Sequence, residues 1–263
     1  MPLNATPHAR AGGPSQAGFS LVEMAIVLLI VSLLLGGLLM PLTAQVEQRR
    51  AADTQRRLDQ AREALIGFAI ANGRLPCPAT AASHGAEDPA GGGACTTHDG
   101  FLPAATLGLT QVDDSGYALD GWNSRVRYAV TAKADAGGNT FTAVGGMQGI
   151  VNGAHSAAPL YTLPDLTVCS SSIGITAASC GSTGSVSLVT HAPAVIYSLG
   201  KNWATGGGSG ADEAANLNGD AVFVSHEPAA GTTPNGEFDD VVTWISPAIL
   251  ASRMFQAGTL AAP

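Results

Sequence analysis

Glu23 stands inside an otherwise uncharged stretch: residues 19–22 read FSLV, and residues 24–42 read MAIVLLIVSLLLGGLLMPL with no ionisable side chain. A carboxylate in such surroundings costs a few kcal/mol unless it is paired. Nothing nearby in the run supplies a cation, so Glu23 calls for a partner from outside its own segment. A second group of residues with chemical potential lies far downstream, where the chain turns acidic. From residue 75 onward fifteen Asp and Glu face five Lys and Arg. Such a body repels phosphate backbones and attracts cations, so no nucleic-acid partner is expected. Four cysteines form a third group, in two local pairs, Cys77 with Cys95 and Cys169 with Cys180. An even count in a Gly-rich body suits disulfides in an oxidising compartment. Zinc on Cys77, His84, Cys95 and His98, or free thiols, stay open as alternatives, although the spacing fits no standard zinc pattern.

Catalytic constellations are missing from the sequence. There is no Gly-x-Ser-x-Gly elbow, no His-Glu-x-x-His and no Walker loop, and 206–210 (GGGSG) is not flanked by a strand and a helix. His191, Ser198 and Asp240 are the residues from which a triad would have to be assembled, with nothing in their spacing to favour it. The expectation is a protein that is not an enzyme.

The elements that must position these groups are few. The apolar run is long enough to cross a bilayer as a helix, for which about twenty residues suffice. It is too long for a cleavable signal core, and Leu42-Thr43-Ala44 is a poor small-x-small site. Residues 44–71 continue as an amphipathic helix, with Leu58, Ala61, Leu65 and Phe68 on one stripe and Arg56, Arg57, Asp59, Arg62 and Glu63 elsewhere. Asp53 and Arg57 have the acid-first i,i+4 order. Asn72-Gly73 ends the helix, and the Pro-rich stretch after it forces extended chain. Beyond lie β-like runs at 125–132, 140–144, 185–190, 194–199, 221–225 and 240–245, read as an antiparallel sheet. Ser246-Pro247 opens a last helix toward Gly258.

Gly18-Phe19-Ser20-Leu21-Val22-Glu23 and the apolar run behind it resemble the processing and assembly signature of type IV prepilins and type II secretion pseudopilins. The resemblance implies an α+β fold, with a long N-terminal hydrophobic helix packed by its C-terminal half on an antiparallel β-sheet head. It divides the chain into a leader (1–18), a transmembrane and filament-core helix (19–43), an amphipathic stem (44–74) and a β-rich head (75–263). It further implies cleavage between Gly18 and Phe19 by a prepilin peptidase, methylation of the new Phe19 amine, and pairing of Glu23 with the N-terminal amine of a neighbouring subunit. The partners it implies are other pilin or pseudopilin subunits, an inner-membrane assembly platform and membrane lipid. The head would lie in the periplasm and the subunit, a minor one, would enter a filament. Two departures stand out: the stem proline is Pro41, one place later than usual, and the leader holds a single basic residue, Arg10. Five Arg (49, 50, 56, 57 and 62) follow the run, a bias that alone would keep the body in the cytoplasm.

In the head, residues 121–128 (GWNSRVRY) resemble the aromatic turn and strand of pseudopilin heads, with Asn-Ser where Gly-Asn is usual. Tyr197 to Lys201, the Gly-rich loop and 212–216 resemble the C-terminal loop in which major pseudopilins bind calcium. On that likeness Asp212, Asn216, Asp220 and the Leu199 carbonyl are the expected calcium ligands, against the plainer reading of an acidic solvated loop. The competing class is a monomeric, membrane-anchored periplasmic binding module or a tip adhesin, for which Glu23 has no use.

Overall fold

The computed structural model describes residues 18–208 and 210–261, without the side chains of 36–43. The expected leader, apart from Gly18, therefore lies outside the described residues, and of Pro41 only the helical backbone is described. The chain divides into two units, Met1–Glu47 and Gln48–Pro263.

Helix α1 runs over Leu21–Asn72. In the first unit its start is set by a reciprocal capping box. The Ser20 N–H donates to Glu23 Oε2 at 2.9 Å, and the Glu23 N–H donates to Ser20 Oγ at 3.2 Å. Two otherwise orphaned donors are thus satisfied. The large apolar side chains that follow, from Met24 to Leu35, are all exposed. Among the described residues no helix is long and apolar enough to cross a membrane.

In the second unit α1 buries Thr54, Leu58, Ala61, Leu65, Ile66 and Ala69. Spacings of three and four keep these on one face. Ile66 and Ala69 take the place expected of Phe68, which is half-buried with the Arg74 guanidinium 5.0 Å over its ring. The helix ends at Gly73, whose φ of +66° a side-chain-bearing residue rarely adopts.

The head follows as β1 (Asp99–Phe101), α2 (Ala104–Leu107), β2 (Arg127–Val130), α3 (Gly146–Ala154), α4 (Pro159–Thr162), β3 (Leu166–Cys169), β4 (Ser187–Ala192), β5 (Ala194–Ser198), α5 (Ala211–Ala215), β6 (Val222–Val224), β7 (Val241–Ile245) and α6 (Pro247–Gln256). One sheet has the order β1-β2-β5-β7 and is antiparallel throughout. Alternate residues face opposite sides. Tyr128, Val130, Ala194 and Ile196 join Leu58, Leu65, Met147, Leu250 and Met254 in the main core. Ala129, Val195 and Tyr197 face a second sheet and pack with Leu166, Val168 and Phe223.

That second sheet, β4-β3-β6, corrects the expectation that all the strands would be antiparallel, because β3 and β6 pair in parallel. The run at 140–144 is not a strand: Thr140 makes one isolated bridge with Ala134, and Phe141 drops into the main core just before α3. Strands β1 and β3 went unforeseen because three or four residues beside Gly, Pro and Asp give too short a pattern. Both expected disulfides are present, Cys77–Cys95 and Cys169–Cys180, each with a Cα separation of 5.4 Å. Zinc ligation by Cys77 and Cys95 is thereby removed.

Candidate functional site

At the helix start, nothing among the described residues lies within 4 Å of where a Cβ on Gly18 would stand, and Phe19 is 79% exposed. Among the described residues nothing covers the boundary between them. Glu23 is exposed and its carboxylate is held by Ser20. The same Ser-x-x-Glu spacing that starts the helix therefore points this carboxylate back toward residues 19 and 20. Sequence reading treated Glu23 only as an assembly residue and missed its capping role, although the spacing was visible.

The head contains a different arrangement, in which the carboxylates of Glu213, Asp239 and Asp240 are all buried and offer oxygens within 4.8 Å of one another. Glu213 sits on α5, and the two aspartates precede β7. Asn202 Nδ2 donates to both Glu213 oxygens at 3.0 and 2.9 Å, and the Asp239 N–H donates to Glu213 Oε1 at 3.0 Å. Asn216 Nδ2 donates to Asp240 Oδ2 at 2.8 Å while its own Oδ1 accepts the Val224 N–H at 2.7 Å. Four oxygens remain buried without a hydrogen bond: both of Asp239, Oδ1 of Asp240 and Oδ1 of Asn202. The nearest cationic group to Asp239 is Lys201 Nζ at 3.9 Å, which lies closer to Glu237 at 2.7 Å.

Burial, then the negative charge of Glu213, pushes the Asp239 carboxyl up to about 6. Burial, reinforced by Glu213 and Asp239 against the Asn216 hydrogen bond, pushes Asp240 up to about 8. Gly200 closes the site: at φ +63° a Cβ there would run into Asp239. Uncompensated buried carboxylates are costly. A hard cation bound by oxygen would relieve that cost, and carboxylates plus an amide oxygen are the donor set calcium takes.

The expected calcium ligands divide differently. Asp212 faces away from the cluster, accepting from the Ser172 N–H at 2.6 Å and Asn235 Nδ2 at 3.1 Å, with His226 Nε2 at 3.0 Å. Burial would raise its carboxyl, but the hydrogen bonds from Ser172 and Asn235 hold it below its ordinary value. Asp220 accepts from Asn218 Nδ2 at 2.7 Å and the Val222 N–H at 2.8 Å. Leu199 packs against the second core. Of the expected set only Asn216 touches the cluster, while Glu213, Asp239, Asp240 and Asn202 were missed. The three triad candidates do not converge: Ser198 donates to Asp120, His191 Nδ1 lies 2.7 Å from the Pro164 carbonyl oxygen, and Asp240 is bonded to Asn216.

A long apolar-fronted helix continuing onto an antiparallel sheet defines a pilin-like α+β architecture. Residues 13–39 match the prokaryotic N-terminal methylation motif, the prepilin and pseudopilin signature. No curated protein matches the chain. No solved structure matches it either.

Proposed function

We propose that the chain is a minor subunit of a type IV pilus-like or type II secretion pseudopilus filament. Prepilin peptidase cuts between Gly18 and Phe19 and methylates Phe19. The apolar run holds the subunit in the inner membrane with its head in the periplasm, until the assembly platform adds it to a filament through its N-terminal helix. The observation that carries this reading is the matched motif at 13–39, with a Gly18-Phe19 boundary that nothing among the described residues covers and Glu23 in the fifth place after it. A carboxylate and an ammonium desolvated together attract strongly, so pairing Glu23 with a neighbour's Phe19 amine would fix the register between subunits. In that step Ser20, whose N–H donates to Glu23 Oε2, would have to release or share that oxygen when the neighbour's amine arrives.

Mass spectrometry of membrane-extracted protein is expected to find methylated Phe19 at the N-terminus, and an intact Met1 would sink the reading. Glu23→Val is expected to keep membrane insertion and lose crosslinks to neighbouring subunits. Crosslinking equal to the parent would favour the monomeric anchored module.

A second reading concerns the head alone. The buried Glu213, Asp239 and Asp240 trio with Asn202 is proposed as a calcium site, supported by the four buried oxygens without partners. Calcium would supply neutralisation of the trio and would tie α5 to the start of β7.

A further inference from the structure

Helix α5 has little of its own to hold it together. It spans five residues, Ala211–Ala215, and Gly210 before it gives the N-terminus no side-chain cap. Isolated helices shorter than about 12–15 residues are marginal in water. Its buried residues are Asp212, Glu213 and Ala215, so apolar packing falls to Ala215, which joins Val224 and Phe238. The helix therefore depends on how its two acids are held, and each is held by a different part of the head.

Asp212 is the anchor on one side. Its Oδ1 accepts the Ser172 N–H at 2.6 Å, and Asn235 Nδ2 lies 3.1 Å from both of its oxygens and 2.9 Å from Ser171 Oγ. Ser171 and Ser172 begin the loop that the Cys169–Cys180 disulfide closes. Both cysteines are buried, whereas Ile173, Gly174 and residues 176–179 are exposed. The disulfide thus fixes the base of the loop, and Asp212 holds its leading limb.

Glu213 is the anchor on the other side, where it meets Asn202 and the Asp239 N–H. Its carboxylate offers an oxygen within 4.8 Å of those of Asp239 and Asp240. Docking α5 there either brings like charges together or makes the aspartates keep protons, and both oppose the contact. A bound cation reverses the sign of that interaction. Asp212 and Glu213 are consecutive residues of one short helix, so what steadies one steadies the other.

We propose that α5 carries the state of the calcium site to the loop 170–179: calcium on Glu213, Asp239 and Asp240 fixes the helix, and the helix fixes the loop through Asp212 and Ser172. This rests on the calcium reading above. Coupling between two sites is reciprocal, so whatever steadies the loop tightens calcium by the same factor. The exposed loop is thereby a surface whose order follows calcium around the head.

The test follows hydrogen exchange of the full chain in detergent, with disulfides intact, in chelator, calcium and magnesium, and records melting in parallel. Calcium is expected to slow exchange in 170–179 by about fivefold or more, and magnesium to slow it less. The exposed turn at 135–139, whose Gly137 and Asn139 N–H groups are held by Asp135, is the control and is expected not to respond. Asp212→Ala is expected to keep the calcium-induced rise in melting, to need about fivefold or more calcium to reach it, and to lose the slowing in 170–179. Ser172→Pro removes the same hydrogen bond from the loop side with α5 untouched, so the comparison survives if Asp212→Ala does not fold. A rise in melting with exchange in 170–179 unchanged, or changed equally at 135–139, overturns the coupling and leaves the calcium site standing. Slowing that persists in the variants overturns the coupling as well. No calcium-specific rise in melting of the parent overturns the site and the coupling together.

Discussion

The two units handle the same kinds of side chain in opposite ways. Between Met24 and Leu35 the apolar side chains are exposed around the whole helix, and the Glu23 carboxylate just before them is tied to its own N-terminal turn. From Gln48 onward apolar residues lie on a stripe that the head covers, and ion pairs such as Arg74–Glu87 are sealed inside. Helix propensity does not separate the two stretches, since both are helical. What separates them is whether the chain itself supplies the burial partner. The second unit is closed around its own core, whereas the first leaves its apolar side chains exposed from Met24 to Leu35. Paired substitutions in the two units bring this contrast to measurement.

The largest difference is expected between two glutamates. Glu87 accepts from Arg74 through both oxygens at 2.7 Å and from the Cys77 N–H at 3.2 Å. Glu87→Gln leaves a buried guanidinium uncompensated, and removing one partner of a buried pair costs about 3–5 kcal/mol. Glu23→Gln, at an exposed cap, is expected to change the melting of the detergent-solubilised chain hardly at all while it impairs assembly. Against burial, the Arg74 hydrogen bonds and charge hold the Glu87 carboxyl below its ordinary 4.5. Its contribution is therefore present above about 4.5 and is lost as pH falls through the lowered value. Chemical denaturation of the parent and Glu87→Gln between pH 7 and pH 3 should show the two converging in acid. A constant gap would assign the loss to packing instead.

Leucines on the same helix give the next contrast. Leu65 has no exposed surface, so Leu65→Ala is expected to destabilise the head by about 2–5 kcal/mol. Leu29 is 60% exposed, and Leu29→Ala is expected to leave the melting of the head unchanged. Comparable losses for the two would mean that the first unit is part of the same cooperative structure.

How much of this was legible in the sequence follows from how local each feature is. The methylation motif, with Glu23 and the apolar run, occupies consecutive positions, so letters alone carried it. The disulfides close short loops, and the stem stripe needed only a period. The carboxylate cluster is another matter, because Glu213 and Asp239 meet only through the packing of α5 beside the start of β7. Asp212 and Glu213 looked interchangeable as letters, yet neighbours on a helix point about 100° apart. One turns to Ser172 and His226, the other to Asn202 and Asp239. Likeness to a calcium loop thus singled out Asp212, whereas the buried carboxylate cluster holds its neighbour Glu213. The parallel β3–β6 pair was hidden for a similar reason, since residue patterns do not reveal which distant strand becomes a neighbour.

The smallest expected effect asks whether the head is as closed as the contrast makes it. Asp239 at about 6 and Asp240 at about 8 stand above their ordinary 3.8. A raised carboxyl lets the folded head keep protons that the unfolded chain has already released. The associated stability is full below about 3.8 and is lost as pH rises through those two values. In chelator the protein should therefore melt lower at pH 8 than at pH 5. Calcium at ten times its dissociation constant should return about 1.4 kcal/mol. It should do so at a lower concentration at pH 8, where fewer protons must be displaced. Magnesium, which keeps its water and demands tighter octahedra, should return less. Asp240→Asn should flatten the pH dependence and abolish the calcium shift, whereas Asp212→Ala, on the other face of α5, should leave that shift in place. Melting curves of these two variants and the parent, in chelator, calcium and magnesium, distinguish the outcomes. A pH dependence with no calcium-specific shift would mean that the trio is neutralised by its own protons, and that the head needs no partner at all to close.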